Sequence, residues 1–456
     1  MNKDLTEGNV TASMLAFAGP MILGNLLQQC YNIADTLIVG RFLGADALAA
    51  VGSAYTLMTF LTSILIGLCM GSGSVYSFYF GKKDEVQMRN SIAAAFVLIG
   101  AVSVSVNVLV FAALPGILKL LQTPDSLWLM MEEYVFVIFF GIFFVFLYNY
   151  FAFLLRAVGN SVIPLCFLGS AALLNVGLDL LFVIRFGWGI RGAAAATVIA
   201  QMFSGLGIGA YTWIREAWLR PRKEELSFTR KSVGEILRFS AAACIQQSVM
   251  NFGILMIQGL VNRFGTAVMA AFAAGVKIDS FAYMPAQEFG NAFSIFTSQN
   301  HGAGKTERVK EGISSAIKVS MLFCAAVSVA VFCFAPLLLQ IFIKETELEI
   351  LGIGAGYLRV EGAFYCGIGV LFLLYGYFRG IGKPEMSVVL TVISLGTRVV
   401  LAYITAPLPG VGVWGIWWAI PIGWILADLV GAYAVWKDGS GKGVRLHAKK
   451  RREPQR

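Results

Sequence analysis

Charge is what this chain has least of. Only 13% of its 456 residues are Asp, Glu, Lys or Arg, while 58% are hydrophobic. So few charges cannot cover a soluble globule of this size, which excludes that class. Histidine is scarcer still. His301 and His447 stand at a helix exit and in the tail, too isolated for a metal cluster. The seven cysteines, Cys30, Cys69, Cys166, Cys244, Cys324, Cys333 and Cys366, lie in apolar runs without a CxxC pair and read as small packing residues. HExxH and GxSxG are absent, so the chain is not expected to be an enzyme. The run Gly302-Ala-Gly-Lys305-Thr306 looks like the end of a phosphate loop, but Gln299 occupies the place of its first glycine and a membrane helix precedes it. An ion gradient, not ATP, is the expected energy source, and no cofactor is expected.

What the chain has instead is long apolar runs. Its mean hydropathy is +0.75, and twelve segments start near Val10, Leu48, Ser91, Glu132, Val162, Gly192, Gly234, Val268, Ile313, Gly356, Met386 and Gly412. Each is long enough for a spanning helix of about 20 residues. Stretches such as Ile92 to Leu114 are continuously apolar, unlike the alternating strands of a membrane barrel. The first run starts almost at once and lacks a small-residue cleavage site, so no removable signal peptide is expected.

The sequence resembles itself at a shift of roughly 222 residues. Arg156-Ala-Val-Gly159 returns as Arg379-Gly-Ile-Gly382, Gly187, Gly189 and Gly192 return as Gly410, Gly412 and Gly415, and Gly81-Lys-Lys-Asp84 matches Gly304-Lys-Thr-Glu307. An even number of crossings per copy gives both copies the same orientation. The expected fold is therefore all-α and membrane-integral: twelve transmembrane helices in two six-helix bundles related by a pseudo-two-fold axis along the membrane normal. The expected boundaries are an N-terminal bundle over 1–213, a charged linker over 214–235, a C-terminal bundle over 236–437 and a basic tail over 438–456.

Positive charge sets the orientation. Arg215, Arg220, Arg222, Lys223, Arg230, Lys231 and Arg238 crowd the linker, and Lys449 to Arg452 the tail. The opposite connections hold scattered cations such as Arg41, Lys119 and Arg185. Both termini are expected in the cytoplasm. The basic tail reads as a topology signal in contact with anionic lipid; no nucleic-acid partner is expected.

Ionisable groups at bilayer depth are costly and are candidates for function. Gln28, Asn32 and Asp35 follow spacings of four and three, which places them along one face of the first helix, with Tyr31 beside it. Asn175 and Asp179 share a face of the fifth, while Asn149 and Thr197 add neutral oxygens from the fourth and sixth. Asp35, Asn149, Asn175, Asp179 and Thr197 together suit either Na⁺, through oxygen ligands, or H⁺, because close, desolvated carboxylates favour protonation. Pro20 removes a helical hydrogen bond, giving either a fixed kink or a bend that moves with the ion. Shifted onto the second copy, Asp35 falls on Met256 or Ile257, Asn175 on Arg398 and Asp179 on Ala402. The second half is therefore expected to lack most of these buried carboxylates. Its helix seven keeps Gln246, Gln247 and Asn251, which with Gln28 and Asn32 are candidates for a substrate cleft. Glu288 reads as a proton carrier, an anchor for a cationic substrate, or a partner of Lys277 or Arg398. Arg359 and Glu361 are expected to form an interface ion pair. The rings crowding helix four, Phe139, Phe140, Phe143, Phe144, Tyr148 and Tyr150, are expected mostly to face lipid or neighbouring helices, and any that reach a cleft would suit flat lipophilic cations.

Asp35 after Pro20, the helix exits Arg156-x-x-Gly-Asn160 and Arg379-x-x-Gly-Lys383, the pair Asn175-x-x-x-Asp179 and the run Gln299-Asn-x-Gly-Ala-Gly304 together resemble the multidrug and toxic compound extrusion family over nearly the whole chain. The resemblance implies an antiporter in the cytoplasmic (inner) membrane, acting as a monomer by alternating access, that exports small organic, often cationic, compounds in exchange for H⁺ or Na⁺. It implies a cation site at the residues matching Asp35, Asn149, Asn175, Asp179 and Thr197. Another branch uses carboxylates on helices seven and ten; helix seven here has none in its apolar span, while Glu361 and Glu288 keep that mode open. The competing expectation is a flippase of lipid-linked sugars or cell-wall precursors with the same architecture. A cleft for polyanionic headgroups needs several cations, and those at membrane depth are few: Lys277, Arg359, Arg398 and Lys318.

Overall fold

A computed structural model describes residues 4–120, 125–222 and 229–439. The central part of the linker and nearly all of the expected tail lie outside the described residues. Among the described residues fourteen α-helices follow one another: α1 (Val10–Leu43), α2 (Ala45–Gly81), α3 (Glu85–Leu120), α4 (Asp125–Ile138), α5 (Ile142–Ala157), α6 (Val162–Asp179), α7 (Gly189–Arg215), α8 (Arg230–Val261), α9 (Thr266–Gly302), α10 (Thr306–Leu339), α11 (Leu348–Gly362), α12 (Tyr365–Gly380), α13 (Pro384–Thr405) and α14 (Val413–Gly439). No strand occurs among the described residues. Two of these helices, α4 and α5, are one span interrupted by a 3₁₀ turn at Phe139–Gly141. Eleven spans are long and apolar enough to cross a bilayer, and α11 with α12, bent by 50° at their junction, supplies the twelfth. The twelve expected segments fall on these spans. Several helices begin earlier than hydropathy alone indicates, because polar first turns such as Glu85 to Asn90 continue the helix outside the apolar stretch.

Compactness groups the chain into two units. The first holds Met1–Ser248 with Asn291–Ser315 and Arg379–Glu385; the second holds Val249–Gly290, Ala316–Phe378 and Met386–Arg456. Thus the end of α9 and the start of α10, which belong to the second sequence repeat, pack in the first unit.

In the first unit α7 lies against α5 and α6, α1 against α6, and α2 against α5. Tyr76, Phe139, Phe146 and Tyr150 are fully buried, and the Tyr150 hydroxyl donates to the Ile92 carbonyl at 2.7 Å, which removes the cost of an unpaired phenol. Phe140 and Phe143 point outward, as expected of rings on a membrane helix. Small residues bring backbones together. A Cβ on Gly71 would lie 2.3 Å from the Phe239 carbonyl oxygen, and one on Gly67 2.7 Å from Cys244 Cα, so α2 and α8 meet backbone to backbone. In the second unit Trp417 stacks on Phe272 at 5.6 Å between ring centres and meets Tyr357 edge-on at 4.8 Å. All seven cysteines are free.

Candidate functional site

Two groups of buried polar side chains stand out, one in each unit. The first is built on α1, α6 and α7. Asn175 and Asp179, one helical turn apart, are 1% and 0% exposed, so this face of α6 is turned fully inward. Thr197 of α7 stands opposite, its Oγ1 3.3 Å from the Asn175 amide. Asp35 of α1 completes the group, and its carboxyl interacts directly with that of Asp179.

The local backbone aims Asp179. α6 ends at this residue and widens into a π-helical turn over Leu180–Arg185, where the Phe186 N–H reaches the Leu181 carbonyl at 3.0 Å. Such widened turns redirect side chains and recur at functional sites.

The amide of Asn175 reads the state of its neighbour. The atom facing Asp179 Oδ2 lies 3.3 Å away. If Asp179 is ionised, that atom must be the nitrogen, donating to the carboxylate, while the amide oxygen faces the Thr197 N–H and hydroxyl. If Asp179 is protonated, its O–H donates to the amide oxygen instead, and the nitrogen donates to Thr197 Oγ1, whose own O–H donates to the Ala193 carbonyl at 3.2 Å. The Asn175 amide can therefore bond to Asp179 in either charge state by exchanging the places of its oxygen and nitrogen.

Asp35 Oδ1 and Asp179 Oδ1 are buried without a hydrogen-bond partner among the described residues. Buried unpaired carboxylate oxygens are unstable alone. Two of them beside amide and hydroxyl oxygens fit either a proton or a small monovalent cation taken up as cargo.

Of the other residues singled out by sequence, Asn149 is half-buried and turns its amide to the Val145 carbonyl of its own helix at 2.8 Å, so it does not bond to the carboxylates. Pro20 lies within an unbroken α1. Gln28 is exposed; Asn32 is half-buried and its carbonyl accepts from Thr36 at 2.8 Å. Gln246 is buried, with Gln247 half-buried beside it. In the second unit Asn251 and Glu288 are half-buried. Sequence reasoning placed Tyr31 beside this group and missed Tyr134, both of which stand in the electrostatic field of Asp35 and Asp179. Nothing in the spacing of Tyr134 ties it to residues so distant in the chain.

The second group corrects an expectation. The second half does carry buried carboxylates: Asp279 of α9 and Glu361 of α11 are 2% and 3% exposed and interact directly. The Tyr365 hydroxyl donates to Asp279, Tyr357 lies against both acids, and the Arg398 guanidinium supplies one positive charge. Glu361 sits at the end of α11, just before the 50° bend between α11 and α12. The expected Arg359–Glu361 pair is not formed, because Arg359 turns outward over the Phe332 ring at 5.9 Å. Lys277 likewise lies over Phe342. Asp279 was overlooked although an acid inside the apolar run from Met269 to Met284 was a sufficient signal.

Comparison with known proteins accounts for both repeats. The MatE family model matches residues 20–181 and again residues 242–404. The "Probable multidrug resistance protein YpnP" of Bacillus subtilis is 32% identical over 397 residues, covering 86% of this chain and 87% of that one. The "Probable multidrug resistance protein NorM" of Thermotoga maritima is 26% identical over 435 residues, covering 92% and 90%. A solved structure of a MOP superfamily transporter from Pyrococcus furiosus superposes with a TM-score of 0.90 at 24% identity, covering 96% of this chain and 98% of that one, and so has the same fold.

Proposed function

The chain belongs to the MatE family of multi-pass membrane transporters, and from that premise we propose that it is a secondary antiporter of the cytoplasmic membrane. It exports organic, mainly lipophilic and cationic, compounds in exchange for inward H⁺ or Na⁺. The observation that carries this reading is the meeting of Asp35 and Asp179 in a buried group with Asn175 and Thr197. A pair of acids at that depth is stable only when something positive joins it, and a gradient-driven cycle supplies and removes that charge. Asn149 lies outside this immediate shell and contributes when its amide leaves Val145.

The cycle follows alternating access between an N-terminal bundle (1–213) and a C-terminal bundle (236–437), joined by the linker (214–235), with both termini and the basic tail (438–456) in the cytoplasm. Pro20 lets α1 bend as Asp35 changes charge. Gln28, Asn32, Gln246, Gln247, Asn251 and Glu288 line the substrate path as neutral or acidic contacts, which suits a cation. The protein works as a monomer and needs neither cofactor nor nucleic acid.

The test is reconstitution into proteoliposomes with a proton or a sodium gradient imposed separately, following ethidium transport. Wild type accumulates dye under one of the two gradients, and Asp35→Asn and Asp179→Asn each lose at least about tenfold of the rate. Undiminished transport in both variants refutes the reading. Movement of a lipid-linked sugar in place of dye, unaffected by Asp35→Asn, would favour the flippase.

A further inference from the structure

The run Gln299 to Lys305, which the ion site leaves unused, forms a clamp on the start of the chain. Before α1 begins, residues Leu5 to Gly8 run as a non-helical strap whose four carbonyls are all taken by the end of α9 and the start of α10. Asn300 Nδ2 donates to the Leu5 carbonyl at 3.2 Å. Lys305 Nζ donates to that of Thr6 at 2.8 Å. The Arg308 guanidinium donates to those of Leu5, Glu7 and Gly8, the last two at 2.7 and 2.8 Å.

The anchor lies beneath. The Leu5 N–H donates to Gln299 Oε1 at 3.1 Å, while Gln299 Nε2 donates to the Ala157 carbonyl at the end of α5, at 2.8 Å. Leu5, Gln299 and Asn300 are wholly buried. In the first turn of α1, the hydroxyls of Thr11 and Ser315 meet at 2.6 Å. The left-handed Gly304, at φ +72°, makes the α9–α10 turn tight enough to present Lys305 and Arg308 together. A segment of four residues gains nothing for a helix bundle by being held at every carbonyl, yet two cations and two buried amides are committed to it. All of these contacts join the first sequence repeat to helices of the second.

We propose that the strap Leu5–Gly8 is a cytoplasmic latch: when seated it fastens α9 and α10 to the first repeat, and it unseats in each transport cycle when the cytoplasmic side opens. The inference rests on the alternating-access reading. Charge-assisted bonds to exposed Lys305 and half-buried Arg308 exchange for water once the strap lifts, so the latch is strong collectively and still reversible.

The experiment uses the full chain with its seven native cysteines replaced by serine and with Thr11→Cys and Ser315→Cys introduced, in ethidium-loaded proteoliposomes under the driving gradient. Copper phenanthroline should form the cross-link at once and reduce transport at least tenfold, dithiothreitol should restore it, and neither single variant should respond. Completely cross-linked protein that transports at the reduced-state rate overturns the latch. A second readout is independent of transport: a membrane-impermeant maleimide should label Leu5→Cys slowly in resting vesicles, and at least tenfold faster either with gradient and dye together or with Arg308→Gln added. Equal labelling rates in all three conditions overturn it as well. Failure of the reduced variant and of wild type to move dye under either gradient would instead refute the antiport reading, leaving the latch to be judged by the labelling with Arg308→Gln.

Discussion

Asn175 and Arg398 occupy equivalent places in the two repeats, and each stands beside the buried carboxylates of its own unit. Where the first repeat offers an amide that tolerates either charge state, the second carries a permanent cation. On the proposed reading the group around Asp35 takes up a visiting positive charge, whereas the group around Asp279 holds one of its own.

Replacing the amide by the second repeat's solution tests this contrast. Asn175→Arg supplies an internal cation to Asp35 and Asp179, and the expected outcome is folded protein whose gradient-driven dye transport falls at least about tenfold. Sodium or proton binding measured in detergent should fall with it, and retained ion binding would show that the amide is a bystander.

The complementary change is structural. Arg398→Met leaves Asp279 and Glu361 facing each other without a counter-charge, and loss of one partner from a buried ionic group costs about 3–5 kcal/mol. The thermal midpoint in detergent should drop by several degrees, and adding Glu361→Gln should recover much of the loss. Equal midpoints for wild type and Arg398→Met would mean that the guanidinium does not compensate the acids.

Backbone contact gives a sharper prediction. A Cβ on Gly81 would sit 1.9 Å from the Gln299 carbonyl oxygen, and one on Gly302 2.0 Å from that of Phe78. Gly81→Ala and Gly302→Ala should each cost about 1–3 kcal/mol in thermal stability, because backbone must move. Exposed Gly234 in α8 has nothing within 4 Å, and Gly234→Ala should be neutral or stabilise by up to about 1 kcal/mol.

Pro20→Ala restores the hydrogen bond that proline denies α1. The expected result is a higher thermal midpoint together with slower dye transport. Unchanged transport would reduce Pro20 to a fixed feature of the helix.

How far these features were legible follows from the range of the forces involved. Spans such as Val162–Arg185 were readable because apolar length is a local property. Asn175 and Asp179 were readable as a pair because helical geometry places residues four apart on one face. Asp35 could be grouped with them by the cost of a carboxylate at bilayer depth, whereas Tyr134 joins them only through the packing of α1, α4 and α6, which no local pattern encodes. The π-helical turn after Asp179 was equally hidden, since Leu180 to Ile184 read as ordinary apolar helix. Arg359 and Glu361 misled for the opposite reason: two opposite charges two residues apart point to different sides of a helix, and here one meets Phe332 and the other Asp279.

The contact of Gly67 and Gly71 with α8 bears on where this molecule can flex. A joint made of main chain has no rotamer to flip and no charge to neutralise, so it offers a passing ion or drug nothing to act on. The part of α8 from Phe239 to Cys244 is thereby welded to α2, and any flexing of this region must take place elsewhere.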